Sequence, residues 1–264
     1  MKSKGIAWCT ATFYKNPTEG LDSVRFAETC KTVQNAVNLG TPIYVVDESP
    51  ESNGVSARLS ELGATVLTPD QPGMGPCRAQ AVETAMKAGC CPFWTEPEKA
   101  TLITDRNVPL MHDLLDASGR GTGVVVPHRT SVSMDSYPLF QAYSEEQGNR
   151  ELCLLTNFWV DWYIGPRLMN LQCAEYFIQH HRRTPDPKWA ALMTFLVEVE
   201  QSSWWHVTPV VAPDYRYSAA QKAAETDNEE MLEHRRKQRD TIHLAVMAEC
   251  ARLDRKSLEG YAAT

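Results

Sequence analysis

Pro92-Phe93-Trp94-Thr95-Glu96-Pro97-Glu98-Lys99 is an apolar run that stops on two carboxylates one residue apart. Such a run predicts a short strand covered on both faces. Acidic side chains at the frayed end of a strand can turn together toward one cation, and hard ions such as Mg²⁺ or Mn²⁺ take oxygen ligands along with substrate phosphates. The same glutamates also read as a solvated loop, so the flanking sequence decides.

Upstream, strand and helix signals alternate. Ile6 to Phe13 reads as a first strand, followed by turn chemistry at Asn16-Pro17-Thr18-Glu19-Gly20. Val24, Ala27, Val33, Ala36, Val37 and Leu39 mark a helix that Gly40 stops. Pro42-Ile43-Tyr44-Val45-Val46 is a second buried strand ending on Asp47-Glu48-Ser49. A helix over Val55 to Leu62, a strand over Ala64 to Thr68, and the loop Gln71-Pro72-Gly73-Met74-Gly75-Pro76 follow, leading into a helix over Cys77 to Ala88. This alternation predicts an α/β fold with a mostly parallel sheet, whose ligands sit outside the carboxyl ends of the strands. Asp47, the Gly73 loop and Glu96-Pro97-Glu98 all fall on that edge.

The glycine loop lacks the Gly-Lys-Ser/Thr ending of a P-loop and does not follow the first strand as a dinucleotide fingerprint does. It reads either as a tight turn and cap, or as a helix entry from which Arg78 reaches a ribose or phosphate. A rival pair, the acidic Asp105 and the carboxamide Asn107 in Asp105-Arg106-Asn107, ranks below Glu96-Pro97-Glu98, because the short connection after Gly89 puts the strand end at the glutamates. Asp105 and Asn107 then cap the next helix, which runs through Leu110 to Leu115.

The chain has 264 residues, 43% hydrophobic and 22% charged, with a net charge of -7 and a pI near 5.5. That balance argues against sequence-independent nucleic-acid binding. No apolar run is long enough to span a bilayer, and the beginning of the chain is too short for a signal-peptide core. Eight scattered cysteines without a C-x-x-C pair read as reduced thiols of a cytoplasmic protein.

Downstream, Val124-Val125-Val126-Pro127 is a strand ending in His128-Arg129. Gln141, Glu145 and Asn149 make one polar helix face, of the kind that is usually solvated. Asn157 to Arg167 is rich in aromatic residues, and Trp159, Trp162 and Tyr163 suit either sugar faces or the core. Asp186, ahead of an apolar helix over Ala190 to Val199, reads as a cap or as an acid or base. Trp204 to Val211 reads as a late strand, with His206 structural, and the chain from Ala219 onward as a charged helix.

Asp47 after the second strand, the glycine-rich helix entry and the x-spaced acidic pair after the fourth strand together resemble the GT-A-fold nucleotide-sugar glycosyltransferases, closest to the mannosylglycerate-synthase-like and family 2 members. The resemblance covers roughly residues 5–217. It implies a GT-A-like, Rossmann-related, mostly parallel sheet with flanking helices, a small antiparallel acceptor-side element at Asn157 to Arg167, and a C-terminal helix. The expected division is a nucleotide-sugar half over about 1–130, an acceptor half over about 131–217, and an extension over 218–264 packed on the same domain or on a second copy in a homodimer. The resemblance further implies donor contacts from Thr10, Asp47, Gly73, Gly75, Arg78 and Glu96. It implies acceptor contacts from Trp159, Trp162, Gly165 and Arg167, a base or orienting role for Asp161 or Asp186, and a Mn²⁺ or Mg²⁺ ion on Glu96, Glu98 and Asp214. Glu-x-Glu here replaces the family's Asp-x-Asp, which keeps the charge and changes the reach. The expected activity is sugar transfer from a UDP- or GDP-linked donor to a small or polar acceptor, a glycan included. A nucleotidyltransferase and an inactive binding protein are the rivals.

Overall fold

The computed structural model describes residues 5–117, 121–183, 189–202, 204–226 and 229–262. Its first half alternates as expected: β1 (Ile6–Thr12), α1 (Gly20–Asn38), β2 (Ile43–Asp47), α2 (Val55–Glu61), β3 (Thr65–Leu67), α3 (Met74–Lys87) and β4 (Cys91–Trp94). The second half carries α4 (Asn107–Ala117), β5 (Thr122–His128), α5 (Ser131–Asp135), α6 (Leu139–Thr156), β6 (Arg167–Met169), α7 (Leu171–Arg183), α8 (Trp189–Gln201), β7 (His206–Val211), α9 (Ala219–Glu225) and α10 (Glu229–Ala262). One seven-stranded sheet results, in the order β3-β2-β1-β4-β6-β5-β7.

All neighbouring strands run parallel except around β6, which is antiparallel to both β4 and β5. The continuous apolar runs of β1, β2, β4 and β5 are explained by this layering, because α1, α3 and α7 cover the sheet and leave those strands almost wholly buried. Pro209 sits in β7, an edge strand, where a missing backbone donor is tolerated. Helix α8 is buried at every residue from Ala190 to Val199, packed by α7, β7 and α10.

Three sequence expectations are corrected. The aromatic stretch from Asn157 is not itself a strand: Asn157 takes φ 53° to end α6, and the ladder begins only at Arg167, after the Gly165-Pro166 turn. The polar face of α6 is not solvated, since Gln141 and Glu145 are buried. The C-terminal segment is two helices, because Thr226 leaves the helical conformation with ψ 141°. Helix α10 then packs against α6 and α8. Among the described residues, no helix is long and apolar enough to cross a membrane. None of the eight cysteines is in a disulfide.

Because β6 runs backwards, its N-terminal end lies at the same sheet edge as the carboxyl ends of β1, β2 and β4. Trp94 pairs with Arg167, so the residues after β4 face the residues before β6.

Candidate active site

A cleft of about 630 Å³ opens at this edge. Its floor is the turn after β4, where the two carboxylates meet different neighbours. Glu96 is held against Gly165: a Cβ on Gly165 would stand 1.7 Å from Glu96 Oε1. Glu96 Oε2 is buried with no hydrogen-bond partner among the described residues. Glu98 turns the other way, toward Tyr14 just past β1. The Tyr14 hydroxyl contacts Glu98 Oε1 at 3.1 Å and the Thr29 hydroxyl at 2.6 Å. Burial raises the Glu98 carboxyl above the usual carboxylate range, and Arg25, Lys99 and the Tyr14 hydrogen bond offset this only in part.

Lys99 completes the turn. Its ammonium lies 5.6 Å from the centre of the Tyr215 ring and 5.5 Å from that of Tyr217. Burial works against its charge, but Tyr137, Glu96, Tyr217 and Glu98 outweigh that and hold the ammonium above the ordinary lysine range.

The residues after β5 and on α6 form a buried charge network. Arg129, just past β5, grips Asp161 with two bonds of 2.6 Å, from Nε to Oδ2 and from Nη2 to Oδ1, and reaches Glu145 with Nη1. Asn149 donates to Asp161 Oδ1 at 2.9 Å, and Gln141 donates to Glu145 at 2.7 Å. Burial would raise the Asp161 carboxyl, but Arg129 overrides it and holds the group below the ordinary range. Arg129, Gln141, Glu145, Tyr137 and Tyr163 face the cleft, whereas Asp161 stands behind Arg129. Asp161 is thus ion-paired with Arg129, and an ion-paired carboxylate is a poor proton acceptor. Asp186, the other base candidate, lies outside the described residues.

The remaining acceptor candidates divide. Gly165 is at the cleft as the cradle of Glu96. Trp162 is fully buried in the core, and Trp159 is 65% exposed away from the cleft. Arg167 is fully buried beneath the turn, donating to the carbonyls of Ile164 at 2.5 Å and Pro166 at 2.8 Å. Burial pulls its pKa down to about 10. Arg167 therefore braces the loop that carries Gly165.

Among the candidate donor contacts, Asp47 is engaged by the hydroxyls of Thr12 at 2.9 Å and Ser56 at 2.5 Å and by the Ser49 amide at 3.0 Å. Its neighbour Glu48 lines the cleft and accepts from the Gly73 amide at 2.7 Å. Gly73 has φ 105°, a conformation that favours glycine, and it caps α3. Gly75 is buried in the first turn of α3. The Thr10 hydroxyl donates to the Thr95 carbonyl at 2.8 Å, tying β1 to the acidic turn. Arg78 lines the cleft with its guanidinium 5.3 Å from the Trp94 ring and 5.4 Å from Trp189.

The expected metal set is corrected, because the donors do not fit a divalent ion. Asp214 is not at the cleft; it pairs with Arg106 at 3.2 Å on the surface. Glu98 is already hydrogen-bonded to Tyr14, and the cations of Arg25 and Lys99 stand beside the pair. Among the described residues, no group of three His, Cys, Asp or Glu side chains is arranged to hold a metal. The rival pair fares no better: Asp105 is exposed, and Asn107 is the buried start of α4, donating to the Thr101 carbonyl at 3.2 Å.

Sequence reasoning missed Tyr14, Arg25, Lys99 and Arg129, and it placed the C-terminal helix on the domain without making it a wall of the cleft, which Arg235, Gln238 and Ile242 of α10 line. Lys99 and Arg129 carried a signal, since each directly follows a strand-end motif. Arg25 and α10 carried none, because only tertiary packing brings a helix to the cleft.

No protein-family model and no functionally curated protein matches the sequence. Solved structures do match. Mannosyl-3-phosphoglycerate synthase from Rubrobacter xylanophilus superposes with a TM-score of 0.60 at 12% identity, covering 97% of this chain and 75% of that one. CMP:2-keto-3-deoxy-manno-octonic acid synthetase complexed with CTP superposes with a TM-score of 0.50 at 13% identity, covering 91% and 99%. The chain has the fold of GT-A nucleotide-sugar transferases.

Proposed function

We propose that this protein is a glycosyltransferase that moves a sugar from a UDP- or GDP-linked donor to a small polar acceptor. The observation that carries the reading is the shared cleft: the turn after β4, the α3 entry and the Arg129 network converge on one volume of about 630 Å³, large enough for a nucleotide sugar beside a small acceptor. The similarity to a structure named as a mannosyl-3-phosphoglycerate synthase supports the same reading.

In this reaction an acceptor hydroxyl oxygen bonds to the anomeric carbon while the bond from that carbon to the diphosphate oxygen breaks. The electron pair leaves with the nucleoside diphosphate, and the hydroxyl proton passes to a carboxylate. Glu96 suits that last role better than Asp161 or Glu145, because Arg129 holds both of those while Glu96 Oε2 has no partner among the described residues. Arg129, fixed by its two carboxylates, orients the acceptor side, and α10 excludes water from the cleft.

Thermal-shift measurements against UDP- and GDP-sugars, UDP, GDP and free nucleoside triphosphates test the proposal. Stabilisation by nucleotide sugars, with release of nucleoside diphosphate on adding acceptors, is the expected result. A response to triphosphates alone favours a nucleotidyltransferase, which the fold similarity to the synthetase bound to CTP keeps as the second reading. No response to any nucleotide overturns both.

A further inference from the structure

We infer that the protein engages the diphosphate of its donor without a divalent cation, with the Lys99 ammonium supplying the counter-charge. The inference rests on the nucleotide-sugar reading above and goes beyond it by naming the residue that takes the place of the ion.

The first argument is the state of the cleft cations. Arg129 is paired with Asp161 and Glu145. Arg25 lies 3.0 Å and Arg235 3.8 Å from Glu225. Arg78 sits against the Trp94 and Trp189 rings. Lys99 makes no ion pair with a described carboxylate within 4 Å, although it lines the cleft. Two tyrosine rings position it instead, and an aromatic face holds a cation without cancelling its charge. An ammonium carries three donors and binds phosphate as a point charge.

The second argument is the treatment of the acidic pair. Carboxylates that recruit a metal must present open oxygens toward one point. Here Glu98 is hydrogen-bonded to Tyr14, and Glu96 is pressed onto Gly165. The arrangement seats a lysine beside two restrained carboxylates, which keeps the ammonium charged and oriented toward a diphosphate while limiting repulsion of that anion.

Titration calorimetry with UDP and GDP, each in EDTA and in Mn²⁺, tests this on the full chain. The wild type is expected to bind one of them in EDTA within about 3-fold of its affinity in Mn²⁺. Lys99→Gln is expected to weaken that binding by about 100-fold and Lys99→Arg by less than about 10-fold, the charge being what matters. Binding that requires Mn²⁺, or a folded Lys99→Gln variant that binds as the wild type does, overturns the inference and leaves the transferase reading standing. Absence of binding in both buffers overturns both. If Lys99→Gln does not fold, as judged by circular dichroism, the EDTA and Mn²⁺ comparison on the wild type decides.

Discussion

Replacing Gly165 with alanine adds one methyl group to the cradle of Glu96. The new carbon would lie 1.7 Å from Glu96 Oε1, 2.3 Å from Cδ and 2.7 Å from Oε2. Ordinary contact begins near 3.5 Å, so the carboxylate must retreat by roughly 1.5–2 Å. Rigid overpacking costs about 1–3 kcal/mol, and each kcal/mol shifts the Tm of a chain of this size by about 2–4 °C. Glu96 is at the far end of a flexible side chain beside an open cleft, so it swings aside and most of that strain is relieved. The expected Tm loss is therefore no more than about 4 °C. Turnover is expected to fall by about 100-fold, because a displacement of this size at a reacting group has that effect. Gly123→Ala is the control: its added carbon meets Cys173 Sγ at 2.2 Å and Trp205 Cβ at 2.9 Å, away from the cleft. That variant should lose more in Tm and keep the turnover of its folded fraction. Melting curves paired with assays of nucleoside diphosphate release separate the two. Wild-type turnover in Gly165→Ala would refute the role given to Glu96.

Asp161→Asn leaves Arg129 with Glu145 alone, and breaking a buried pair costs about 3 kcal/mol at the lower end of the usual range. Urea unfolding should show that loss; unchanged stability with a large fall in turnover would make Asp161 a base after all. Glu198 gives the acid limit of stability: burial opposes its charge, but the hydrogen bond and charge of His180, with Glu249 and Arg183, hold its pKa at about 2. The unfolded carboxyl titrates near 4.3, so ionised Glu198 contributes stability that is full above about pH 4.3 and lost as the pH falls toward 2. Glu198→Gln should remove on the order of 2 kcal/mol at pH 7 and flatten the decline between about pH 4.5 and 2.5. An unaltered pH profile of unfolding would show that the pair contributes nothing.

The sheet was legible because buried parallel strands announce themselves as unbroken apolar runs, and β2 and β4 each end on acidic residues where the chain leaves the core. The position of Glu96 and Glu98 at the cleft followed from the same logic. Reading the chemistry of neighbouring acids was harder. Asp47 and Asp161 carry the residue type that a site needs, yet hydroxyls, an amide and a guanidinium occupy them, and no local pattern distinguishes an occupied carboxylate from an open one. The α6 face misled for a related reason, since Gln141 and Glu145 look solvated until Arg129 arrives from another strand.

The antiparallel pairing of Trp94 with Arg167 ties two distant loops to one length standard. Counting outward from that pair, Glu96 lies two residues beyond its strand and Gly165 two residues before the other. Deleting or inserting one residue in either loop would bring a bulky neighbour opposite the glutamate. A viable length change therefore has to occur in both loops together, so variation in this part of the chain should come as substitutions, with gaps confined to the surface connections elsewhere.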